Sequence, residues 1–151
     1  MKRFLVVAAL CVLTLSGCDT LRGFFGMPTN ENPVVSVTNN QISVDPDPLM
    51  FTRPGNVQIT WTLHPSAVAA GFRFADAGIR IDGEKVHGGP PVPTPESRGQ
   101  FERPEVLGPA GDRYRLQFKN NRAGRHEYKY TIVLKGPSGE ISKDPAIINN
   151  W

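Results

Sequence analysis

This chain has little cysteine, no long apolar run, almost no net charge and no catalytic signature. Its only cysteines are Cys11 and Cys18, so from Asp19 onward no thiol is present to close an internal disulfide. Packing alone must then hold whatever folds. The longest apolar stretch, Phe4–Leu15, has 12 residues, against about 20 for a helix that crosses a bilayer. Asp19 and Arg22 follow at once and would be costly at membrane depth. The 17 Lys+Arg and 14 Asp+Glu of the whole chain include Lys2 and Arg3; without those two, 17 − 2 = 15 basic residues face 14 acidic ones. A net of +1 gives no footing for nucleic acid as a partner. G-x-S-x-G, the phosphate-cradling P-loop and H-E-x-x-H are all missing, and no motif calls for a cofactor. The chain reads as a non-enzyme.

What is present begins at the N-terminus. Lys2 and Arg3 precede the apolar Phe4–Leu15 run, and small residues close it, which is the shape of a secretory signal. Leu15-Ser16-Gly17-Cys18 resembles the lipobox of bacterial lipoproteins. The resemblance implies thioether attachment of a diacylglyceryl group to Cys18, cleavage after Gly17, and acylation of the new amino terminus with palmitate-type chains. The residue types suit that chemistry: a thiol is a good nucleophile, and two or more acyl chains hold a protein on a membrane where one barely does. The implied address is a membrane surface on the periplasmic side. Asp19 resembles the inner-membrane retention residue of enterobacterial lipoproteins, with the outer membrane as the alternative.

The chain then divides into a signal peptide over residues 1–17, a lipidated cysteine and flexible tether over 18–33, and a folded domain over 34–151. Gly, Pro and Asn dominate the second half of the tether. Phe24 and Phe25 interrupt it, read either as contacts at the membrane interface or as a cap on the domain's core.

From Val34 the dominant period is two. "VQITWTL" puts Val57, Ile59, Trp61 and Leu63 on one face; "YRLQFK" does the same with Tyr114, Leu116 and Phe118; "EYKYTIVLK" with Tyr128, Tyr130, Ile132 and Leu134. Each is a half-buried antiparallel strand pattern. Shorter strands are expected at 34–38, 41–44, 49–52, 78–82 and 146–149. Only Pro65–Phe72 has room for a turn or two of helix. "NNRAGR", residues 120–125, reads as the turn of a hairpin over 114–135, and Pro137–Gly139 as the next turn. Seven to eight short strands predict an all-β fold, a single antiparallel β-sandwich. The longest irregular piece is His87–Gly99, stiffened by Pro90, Pro91, Pro93 and Pro95.

The succession of "PDP" at Pro46–Pro48, a Trp-centred strand, a Y-x-Y strand and "DPAIIN" at Asp144–Asn149 is similar to cupredoxin-like and immunoglobulin-like sandwiches of bacterial envelope proteins. The resemblance implies a fold and no activity. A blue-copper ligand set needs a Cys that the domain lacks.

Two surfaces stand out as partner contacts: the Pro-rich loop with Pro91 and Pro93, and the loop tip with Arg122 and Arg125. The expected partners are the bilayer, through acylated Cys18, and an envelope protein. The alternative is a Cu or Zn site built from His64, His87 and His126, whose spacing matches no short ligand motif.

Overall fold

The computed structural model describes residues 27–85 and 89–151. The signal, Cys18, Phe24, Phe25 and His87 lie outside the described residues. Eleven strands and two short helices follow in order among those described: β1 (Val34–Thr38), β2 (Gln41–Asp45), β3 (Leu49–Phe51), β4 (Val57–Leu63), α1 (Pro65–Ala69), β5 (Arg73–Lys85), β6 (Pro91–Val92), α2 (Pro95–Gly99), β7 (Phe101–Leu107), β8 (Arg113–Phe118), β9 (Arg125–Gly136), β10 (Gly139–Lys143) and β11 (Ala146–Asn150). They form an all-β sandwich, as the alternation of residue types predicts. One sheet runs β2-β1-β4-β8-β7; the other runs β3-β11-β9-β5-β6, with β10 also paired to β9. Most pairs are antiparallel, but β1–β4 and β3–β11 are parallel, so each sheet is mixed.

The core is the set of faces that the period of two marks out. Ile59, Trp61 and Leu63 on β4 meet Tyr128, Tyr130, Ile132 and Leu134 on β9 across the layers, with Tyr114, Leu116 and Phe118 of β8 beside them. Phe118 packs against Phe51, Phe101 and Tyr128 with ring centroids 4.8–5.7 Å apart. The Trp61 indole N–H donates to the Tyr130 hydroxyl at 3.2 Å, and the rings lie 5.4 Å apart. Buried aromatic N–H and O–H groups need such partners.

Three expectations change. The stretch 114–135 is not a hairpin: β8 belongs to one sheet and β9 to the other, so 119–124 is a crossover between layers. Alternation reports which face of a strand is buried, and both partners bury one face whether or not they pair. The Pro-rich stretch 87–99 is shorter as a loop than expected, because β6 and α2 lie inside it. Thr94 caps α2 by accepting from the Ser97 N–H while Ser97 Oγ accepts from the Thr94 N–H. Finally, β7 is a strand that "FERPEVL" conceals. Pro104 and the bulge between Glu102 and Glu105 interrupt its ladder to β8, which an edge strand tolerates.

The "PDP" stretch carries the chain from β2 in one sheet to β3 in the other. Backbone pairing begins inside the stretch read as tether. Glu31 and Pro33 carbonyls accept from Thr60 and Thr62 N–H groups at 2.8 and 3.0 Å, extending the β1–β4 ladder. The chain therefore enters at the Val57 end of β4. That end also carries the β3–β4 loop, the crossover 119–124 and Trp151.

Candidate functional site

At this chain-entry end a polar network gathers around the crossover. Asn120 is fully buried, with φ of 45°, a left-handed conformation that Asn tolerates better than most residues. Its amide donates to the Arg53 carbonyl at 2.6 Å and accepts from the Trp151 indole at 3.1 Å, while its own carbonyl accepts from Gly55 N–H. Gln100, the C-cap of α2, makes two bonds with Asn121. The Asn149 amide donates to the Arg122 carbonyl at 2.5 Å. The crossover thus ties the β3–β4 loop, α2, β11 and Trp151 together.

Beside it lies the most concentrated buried charge. Glu84, near the end of β5, is only 8% exposed. Arg122 Nη1 donates to one carboxylate oxygen at 2.6 Å, and His126 Nδ1 faces the other at 2.5 Å. His126 Nε2 faces the Ala123 carbonyl oxygen at 3.0 Å. Burial raises the Glu84 carboxyl, but the hydrogen bonds and charges of His126 and Arg122 outweigh it and hold the group below its ordinary value. Burial pushes the Tyr128 phenol up, against the pull of the neighbouring Arg122 charge. Its hydroxyl lies close to the guanidinium without the geometry of a hydrogen bond. Arg122 and His126 thus hold the Glu84 carboxylate from both sides, with its charge turned inward.

The expected contact residues fall at this same end. Arg122 is half-buried and bound to Glu84, so it is not a free loop tip; Arg125 opens β9 and is exposed. The other cations of that hairpin reading are also engaged, Lys119 with Glu102 at 2.5 Å and Lys129 with Glu127 at 3.5 Å. Pro91 and Pro93 are exposed, and β6 lies against β5 with Val92 opposite Glu84. Glu84 therefore joins the Pro-rich segment to the crossover, which sequence spacing does not indicate.

The two described histidines do not meet. His64 caps α1, with Nδ1 2.7 Å from the Ser66 hydroxyl, just beyond the Leu63 end of β4. The β4–β8 register sets Val57 beside Phe118 and Thr62 beside Arg113, which puts His64 at the end opposite the crossover and His126. Among the described residues no group of three His, Cys, Asp or Glu side chains converges in metal-binding geometry.

A cleft of about 610 Å³ opens at the chain-entry end between the first described residues and the β3–β4 loop. Met50, Phe51 and Val57 form its apolar part, with Thr29, Asn30 and Arg53 around it. Asn30 Oδ1 accepts from the Met50 N–H at 2.8 Å, so a side chain covers the outer edge of β3. Sequence patterning misses Glu84, Asn120 and Asn149, because a polar residue in a strand or turn reads as solvated. Compared with known proteins, the chain matches no protein-family profile and no curated sequence.

Proposed function

We propose that this chain is a lipid-anchored binding module of the bacterial envelope, held on the periplasmic face by an acylated Cys18 and acting on a protein partner without catalysis. One observation carries the reading: the chain enters the sandwich at a single, rigidly bonded end. Glu31, the first described residue paired to β4, lies thirteen positions beyond Cys18, and fully extended that length of chain reaches at most about 45 Å. An anchor at Cys18 then holds the crossover end toward the bilayer and presents the opposite end, with α1 and the β9–β10 turn, to the periplasm. Asp19 favours the inner membrane within this reading, by its resemblance to the retention residue.

Mass spectrometry of the protein extracted from membranes tests the anchor. The expected product lacks residues 1–17 and carries acyl mass on Cys18. A chain that retains the Gly17–Cys18 bond and a free thiol would overturn the reading. Crosslinking in intact cells, followed by identification of captured proteins, tests the binding role. A reproducible envelope partner supports it, and reproducible recovery of the chain alone sinks it. In a Cys18→Ala variant the acyl mass disappears.

A further inference from the structure

We propose that the chain-entry end of the sandwich rests directly on anionic lipid headgroups through Arg53, Arg98 and Arg125. This deepens the membrane-anchor reading and rests on it. The three arginines stand around the crossover hub. The Arg53 carbonyl accepts from the Asn120 amide, Arg98 lies in the last turn of α2 beside Gln100, and Arg125 begins β9 opposite Asn150. All three are exposed, and none of the ion pairs among the described residues uses them.

Among the described side chains, two of the acids nearby are neutralised: Glu84 is bound by Arg122 and His126, and Glu102 by Lys119, while Glu31 stays exposed. The far end is balanced: Asp112 and exposed Glu140 lie there with exposed Arg73 and Arg113, and none of the four is in an ion pair among the described residues. What sets the chain-entry end apart is that three exposed arginines outside any described ion pair surround one hydrogen-bonded hub. Guanidinium groups match phosphate oxygens in forked geometry. Backbone hydrogen bonds hold the stretches that carry them, so contact orders the side chains and not the chain itself. At physiological salt charges act over only about 8 Å, so the contact forms only when this end lies against the surface, which a tether reaching at most about 45 Å permits.

Trp151 is a built-in reporter, because it sits half-buried at this end while Trp61 is fully enclosed in the core. The test uses the full acylated chain reconstituted into vesicles of brominated phosphatidylcholine, alone or mixed with phosphatidylglycerol. Quenching of Trp151 fluorescence is expected to rise with phosphatidylglycerol and fall with added salt. It should be lost in the Arg53→Gln/Arg98→Gln/Arg125→Gln variant, and Trp151→Phe identifies the responding signal. An unchanged urea midpoint and near-ultraviolet spectrum show that the triple variant is folded. Quenching that is equal with and without phosphatidylglycerol, or unchanged in the folded triple variant, overturns the contact while leaving the anchor intact. Acyl mass on Cys18 is read on the same sample, and its absence overturns the anchor itself and the contact with it.

Discussion

Glu84 is only 8% exposed, yet Arg122 and His126 bracket its carboxylate, so removing its charge costs the fold more than removing that of a surface acid. Its folded-state pKa lies below the ordinary 4.5. The resulting stabilisation is therefore present above about pH 4.5 and is lost as pH falls through the depressed folded value. Glu84→Gln should destabilise the domain by about 2–4 kcal/mol at neutral pH, because the half-buried Arg122 guanidinium loses its counter-charge. Urea unfolding at pH 7 and again at pH 3 checks this: the gap between wild type and variant should narrow in acid, and a gap independent of pH would contradict it. Tyr130 poses a neutral version of the problem. Its phenol is pushed well above its ordinary value by burial, so it stays protonated and accepts from the Trp61 indole. Tyr130→Phe strands that N–H in the core, at a cost of about 1–3 kcal/mol by denaturant unfolding. A loss under about 0.5 kcal/mol would mean that the indole finds another acceptor.

At the scale of elements, the strong strands are legible in the chain and their partnerships are not. The inward faces of β4, β8 and β9 follow directly from alternating residues, because burying one face of a sheet imposes period two. The reading of 114–135 as a hairpin fails because backbone hydrogen bonds are the same for every sequence, so nothing local says which strand will lie alongside. β7 escapes for a different reason: its residues are mostly exposed, and Pro104 with Arg103 at φ of 55° breaks the pattern of a strand while suiting an edge. The meeting of β5 and β6 depends on one glycine. A Cβ at Gly83, whose φ is 141°, would stand 2.5 Å from the backbone carbonyl of Val92. Gly83→Ala is expected to push β6 off the sheet edge at a cost of at least ~2 kcal/mol. Amide hydrogen exchange should then quicken over residues 89–94; unchanged exchange there would show that the edge can shift to admit a methyl group.

For the whole molecule, the absence of cysteine beyond Cys18 makes packing the sole restraint on the sandwich. Thermal unfolding should give the same midpoint with and without a thiol reductant, and a fall in midpoint on reduction would reveal a covalent link through Cys11 or Cys18. The polar network at the chain-entry end belongs to this scale too. Glu84 meets His126 across 42 positions of sequence and Arg122 across 38, and Asn120 reaches the Arg53 carbonyl across 67. The amino-acid sequence by itself determined the all-β class, the inward faces of β4, β8 and β9, and the absence of cysteine beyond Cys18, since each depends on residue type at short range. Only the tertiary structure decided which strands share a sheet, that Arg122 turns inward to Glu84, and that three arginines far apart in sequence gather where the chain enters. Those outcomes depend on pairing and charge contacts between distant segments, and the interactions that create them carry no signature in any local stretch of the chain.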